Sequence, residues 1–328
     1  MAIRSRVEYD GRMNTPSSRQ SKDGHASHAS HPPTLLYVEG GGGPLGYDGH
    51  QDAFEWRGER ILSPRLASDE FAAELREVGW REVGGLIVPP AAEQSWRELC
   101  LAEPLLNLEE FIVESRGSRD AGCDWKIFME IYFDDYHVEP FHPGLSSMAD
   151  CGSLEWIWAP EAQAQRVGAS ALMGGGSAAY ASLFEISSSI WGGQPVAAVW
   201  AAIYPATMIE WLAGGLAISV AAPAGPGKSL NETIFAYPRG VAQSHPEFVK
   251  AHQAAYWETA REDDDIASRI QKGRAALARS GRDERGPACP HLEDGIVAFH
   301  EWLASGAWRS SPQMELPAAI SAVRAKPR

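Results

Sequence analysis

The chain has 328 residues, with 43 acidic against 29 basic side chains and a formal charge of −14. That charge argues against nucleic acid as a partner, because phosphate recognition needs basic surface. The length is ample for two cores. No apolar run reaches the roughly 18 residues of a membrane span, since Pro205 and Glu210 interrupt the nearest candidate, Trp200 to Ala222. The polar start lacks the apolar run of a secretory signal. Cys100, Cys123, Cys151 and Cys289 have no CxxC spacing and read as free thiols of a reducing cytoplasm.

Residues 1–30 are rich in Ser, Arg, His and Gly without apolar periodicity, and are expected to be a disordered tail. His25, His28 and His31 are spaced as a chelator would be, but the composition favours a solvated tail. From 31 to 92 the pattern is that of a small all-β domain: strands at Leu35–Val38 and Gly84–Val88 and a hairpin corner at Phe54–Gly58. From 93 to 328 a single α+β domain is expected. Its strands are placed at Leu154–Trp158, Tyr180–Glu185, Val196–Pro205, Glu210–Ala221 and Glu232–Tyr237, and its long helix runs from His245 or Pro246 to Leu277. The Gly- and Ala-rich stretch Glu161–Gly176 is expected to loop over the entrance of the site. Gly225–Ser229 hints at a phosphate loop, but Ala222 stands where its first glycine is needed and no helix follows, so it reads as a hairpin turn.

Asp124–Leu145 reads DWKIFMEIYFDDYHVEPFHPGL. His137 and His142 lie close together, with Glu130, Asp134 and Asp135 just upstream. Imidazoles beside carboxylates are ligands suited to non-haem Fe(II). A facial triad also needs one carboxylate, and Glu262-Asp263-Asp264-Asp265 on the long helix offers several. Helix phase separates them. Asp263 shares an inward face with Tyr256, Thr259, Ile266 and Ile270. Asp265 faces water with Arg269 and Lys272. Asp264 lies between, with Ala267, Ser268 and Gln271. Asp263 is the first choice and Asp264 the second, and a solvated acidic run is the bland reading of all three.

The DWK segment, the Glu, the DxYHxxxxHPG string, the ED…QKG segment and the strand EVGGLIVP together resemble the catalytic alpha subunit of Rieske-type aromatic-ring-hydroxylating oxygenases. The resemblance implies a helix-grip fold, a curved antiparallel sheet over a long helix. Between them would lie a mononuclear Fe(II) held by His137, His142 and Asp263, acting with O2 on a small aromatic substrate. It also implies a homotrimer or mixed trimer, with electrons arriving from a ferredoxin or reductase. Asp134 matches the carboxylate that links an iron-bound His to the neighbouring subunit's Rieske cluster, and its bland reading is an acid that orients the imidazole.

The N-terminal part departs from that family. A Rieske cluster needs CxH and CxxH. Here Ala29-Ser30-His31 and Tyr47-Asp48-Gly49-His50 stand in those places, and no cysteine precedes Cys100. The resemblance therefore implies a degenerate Rieske domain without a [2Fe–2S] cluster, and a redox partner acting in trans. The competing reading is a catalytically inactive helix-grip subunit that binds or assembles with an intact homologue. Cys289-Pro290-His291 copies the CxH half without a partner. Trp156, Trp158, Tyr180, Phe184, Trp200, Tyr204, Met208 and Trp211 are candidate pocket walls, with plain core as the alternative. Trp125 and Tyr136 read as core or pocket wall, and Glu130 as a supporting acid.

Overall fold

A computed structural model describes residues 35–40, 61–66, 81–88, 90–171, 176–193, 195–225, 227–282 and 287–305. The expected tail, the hairpin corner at Phe54–Gly58 and the positions Ala29, His31, Tyr47 and His50 lie outside these residues.

The antiparallel pair β1 (Leu35–Gly40) and β2 (Ile61–Leu66) precedes the hairpin β3 (Arg81–Val83) and β4 (Leu86–Val88). Then come α1 (Pro90–Ala102), β5 (Phe111–Asp120), α2 (Trp125–Tyr132) and the single turns α3 (Val138–Phe141) and α4 (Pro143–Ser146). Strands β6 (Ala149–Ala159) and β7 (Ala162–Ala169) lead to α5 (Ala178–Trp191). Strands β8 (Val196–Ile203), β9 (Thr207–Leu212), β10 (Gly215–Gly225) and β11 (Lys228–Pro238) follow. Helices α6 (Val241–Ser244), α7 (Pro246–Arg279) and α8 (Asp294–Ser305) close the described chain.

Among the described residues β5 to β11 make one seven-stranded antiparallel sheet in the order β5-β11-β10-β9-β8-β7-β6. The helix α7, 34 residues long and so about 50 Å, packs across one face. Because side chains alternate along a strand, the sheet divides its apolar residues between two cores. Val199, Ile209, Trp211 and Ile218 meet Trp96 and Leu99 of α1 and the β4 hairpin strand. Trp200, Leu212 and Phe235 meet Tyr180 of α5 and Phe248 and Tyr256 of α7. Strand β8 is buried at every residue, as a central strand covered on both faces must be. A third cluster wedges α2 and α8 against the sheet, with Trp125 and Phe299 edge to face at 6.1 Å.

This is the α+β arrangement the sequence implies, with four local differences. Tyr180–Glu185 is helical, not a strand. Ser177 caps α5 by accepting from the Tyr180 amide at 3.2 Å, and the buried Tyr180, Leu183 and Ser187 recur at helical spacing. Glu210–Ala221 is two strands, because Ala213 (φ 49°) and Gly214 (φ 90°) turn the chain back on itself. Half of the Glu161–Gly176 stretch, Ala162–Ala169, is strand β7, paired on both sides, rather than an entrance loop. The last expected N-terminal strand begins at Leu86, after a turn at Gly84–Gly85. A Cβ on Gly85 would lie 2.6 Å from the Leu108 backbone, so only glycine fits there.

The expected long helix and the hairpin at Gly225–Lys228 are present. The four cysteines are free. No described helix is long and apolar enough to cross a membrane.

Candidate metal centre

The DWK segment anchors α2. Asp124 caps it by accepting from the Lys126 amide at 3.1 Å, and its buried carboxylate pairs with the Lys126 ammonium at 3.2 Å. Burial raises the Asp124 pKa and pulls Lys126 down to about 8, against the mutual attraction of the pair. The Asp124 amide donates to Gln271 Oε1 at 2.9 Å. Two turns further along α2, Glu130 accepts from Arg274 at 3.0 Å and lies 2.7 Å from His300 Nε2. These bonds set the register of α2 against α7. Glu130 thus braces helices and does not touch the candidate metal ligands.

Past α2 the chain turns sharply. Asp134 Oδ1 accepts from the amides of Tyr136 (2.6 Å) and His137 (3.3 Å), a local side-chain-to-backbone turn. That turn, followed by Pro143 after His142, sets the two imidazoles edge to face at 4.9 Å between centroids. From α7, Asp263 faces both. Its Oδ1 lies 3.4 Å from His137 Nε2 and 3.0 Å from His142 Nε2, and one ligand atom from each of the three falls within 4.8 Å of the others. The outer nitrogens face carboxylates. His142 Nδ1 meets Glu262 Oε2 at 2.7 Å, and His137 Nδ1 lies 3.3 Å from Asp134 Oδ2.

Burial alone would lower the pKa of His137, but Asp134 and Asp263 outweigh it and hold it at about 10. The same balance raises His142, and the two imidazoles hold Asp263 well below the usual carboxylate range. The donor set suits a divalent cation. Bonds of about 2 Å meeting at right angles put neighbouring ligand atoms about 3 Å apart, close to the 3.0 and 3.4 Å found here. Carboxylates on the outer nitrogens are the usual support of metal-bound histidines.

Asp264 turns away to pair with Arg119 of β5, and Asp265 pairs with Arg269. Tyr136, expected in core or pocket wall, is 59% exposed. Trp125 is core.

A pocket opens beside the three residues, between the sheet and α7. Of the eight candidate wall residues, Tyr180, Trp200 and Met208 line it. Trp156 and Trp158 stack on each other at 4.9 Å, Tyr204 packs with Trp302 of α8, Trp211 belongs to the opposite core and Phe184, on α5, packs at the edge of the core beneath α7. The sequence reading missed several wall residues, among them Arg119, Tyr132, Tyr256 and, most tellingly, Glu210. Its signal was visible: a lone acid inside an otherwise apolar run.

The family model described as ring hydroxylating alpha subunit (catalytic domain) matches residues 108–306. Two similar curated proteins are each named putrescine 2-hydroxylase. The one from Bordetella bronchiseptica is 35% identical over 260 residues, covering 77% of this chain and 60% of that protein. The one from Ralstonia nicotianae is 40% identical over 200 residues, covering 60% of this chain and 55% of that protein. The chain therefore spans little more than half the length of these relatives. Among solved structures, naphthalene 1,2-dioxygenase from Rhodococcus sp. bound to indole shares the fold (TM-score 0.53, 16% identity, 72% of this chain and 67% of that one). A quaternary ammonium Rieske monooxygenase does too (TM-score 0.52, 15% identity, 69% and 61%).

Proposed function

Because the chain belongs to the family of ring-hydroxylating oxygenase alpha subunits, we propose that it is a mononuclear non-haem iron monooxygenase that hydroxylates a short aliphatic amine. The observation that carries this reading is the convergence of His137, His142 and Asp263 on one point beside a pocket. Two imidazoles and one carboxylate would hold ferrous iron on one side and leave the other open. Bound there, the iron would supply the activation of O2. Glu262 is bonded to the outer nitrogen of His142 and Asp134 lies beside that of His137, an arrangement that would fix which nitrogens face the centre. Tyr180, Trp200 and Met208 wall the pocket against water.

The similar proteins named putrescine 2-hydroxylase favour an amine in place of the aromatic substrate that the resemblance implied. With no cysteine before Cys100, the N-terminal part is read as a Rieske-like remnant. Electrons would reach the centre from a redox partner, in a homotrimer, a mixed trimer or a complex with a ferredoxin or reductase, in the cytoplasm. The reading as an inactive subunit is not favoured, because all three donor residues are kept together.

Anaerobic reconstitution tests this. About one iron per chain should be retained, without acid-labile sulfide, and O2 with an added ferredoxin and reductase should yield a hydroxylated diamine by mass spectrometry. Protein that retains no iron would overturn the reading.

Asp134→Asn is expected to lower turnover by about 10- to 100-fold. If it acts as an electron path, iron content stays at the wild-type level and oxidation by the partner slows. If it only orients His137, iron affinity falls with activity.

A further inference from the structure

Glu210 is the single Asp, Glu, Lys, Arg or His between Val196 and Gly225. Its place on β9 is fixed by cross-strand pairing with Trp200 and Ala217. The alternation that sends Ile209 and Trp211 into the far core turns Met208 and Glu210 toward α7 and into the pocket beside Asp263. A carboxylate in such surroundings is costly unless something positive meets it. Among the described residues Glu210 forms no ion pair. The guanidinium that lines the same pocket, Arg119, is committed to Asp264.

The remaining walls suit a cation. Tyr132 donates its hydroxyl toward the carbonyls of Ala201 and Ile209, at 3.1 and 3.0 Å. The Tyr180 hydroxyl is bonded to Thr259 at 2.6 Å, and that of Tyr256 to Thr233 at 3.1 Å. Their hydroxyls being engaged with protein, these residues offer the pocket mainly aromatic surface, which attracts ammonium groups. Asp134, Asp135, Glu210 and Asp263 line the pocket together with Arg119, His137 and His142.

We propose that Glu210 anchors the substrate: its carboxylate receives the terminal ammonium of a short aliphatic diamine and holds the carbon chain beside the His137–His142–Asp263 centre. This rests on the oxygenase reading and names the group that selects its substrate. Burial, with the Asp263 charge adding to it, pushes the Glu210 carboxyl up to about 7 against a hydrogen bond from Trp200 and the charge of His142. An ammonium in contact would favour the ionised form.

Calorimetry on the iron-loaded protein under anaerobic conditions tests the proposal, with 1,4-diaminobutane and the neutral isostere 1,4-butanediol as probes. Wild type should bind the diamine and not the diol. Glu210→Gln should weaken diamine binding by about 10- to 100-fold with iron content and far-UV circular dichroism unchanged, and Glu210→Asp should recover part of the loss. Wild-type affinity in Glu210→Gln would overturn the proposal. So would equal binding of diol and diamine by wild type, a comparison that stands even if the variant does not fold. Iron-loaded wild type that ignores the diamine overturns the anchoring proposal and the amine as substrate while leaving the iron centre standing, whereas a wild type that takes up no iron removes the oxygenase reading beneath both.

Discussion

Asp263→Ala is expected to empty the centre of iron and abolish hydroxylation, while Asp264→Ala keeps both. Oδ1 of Asp263 is the atom that both inner nitrogens face, so its removal leaves two imidazole donors and no carboxylate to offset the charge of a ferrous ion. The loss should exceed the roughly 10- to 100-fold that supporting partners cost. Asp264, one residue on, turns to Arg119 on a partly exposed surface, and cutting that pair should cost only about 1 kcal/mol. Metal analysis of the two purified variants, with turnover in the reconstituted system, separates the cases. Iron lost from Asp264→Ala and kept in Asp263→Ala would reverse the ligand assignment.

Glu130→Ala should be the most destabilising change outside the centre. Glu130 is 4% exposed and holds Arg274 and His300 together, joining α2 to α7 and α8. Removing one member of a buried ion cluster typically costs about 3–5 kcal/mol, a fall in Tm on the order of 10 °C. The effect has a pH signature. Burial pushes the Glu130 pKa up, but the bond to His300 and the charge of Arg274 outweigh it, so the folded value lies below the ordinary 4.5. A depressed carboxylate pKa contributes stability that is fully present above the unfolded value and is lost as pH falls through the folded one. The gap in Tm between wild type and Glu130→Ala should therefore be constant above about pH 5 and shrink below about pH 4.5. A gap independent of pH would mean that Glu130 acts through packing and not through charge. Since α2 carries the chain into the His137 turn, the variant should also bind iron more weakly.

Much of this was legible from local spacing. The bounds of α7, the inward phase of Asp263, the solvent phase of Asp265 with Arg269 and the hairpin at Gly225–Lys228 all follow from periods of 3.6 and 2 read along the chain. The histidine pair and the acidic run were visible as candidate ligands for the same reason: short separations and one helix face are local properties. The helix α5 was not legible, because a mixture of aromatic, branched and small residues suits strand and helix alike until Tyr180 and Leu183 find α7 and the sheet to pack on. The role of Glu210 was hidden too. A lone acid in an apolar strand looks the same whether it ends at a sheet edge or faces a cavity, and only the pairing of β9 with β8 and β10 turns it toward Asp263. Likewise Arg119 lies 145 residues from Asp264, and Asp124 lies 147 from Gln271. No periodicity spans such distances, and those partners are chosen by which faces the sheet and helices bury together.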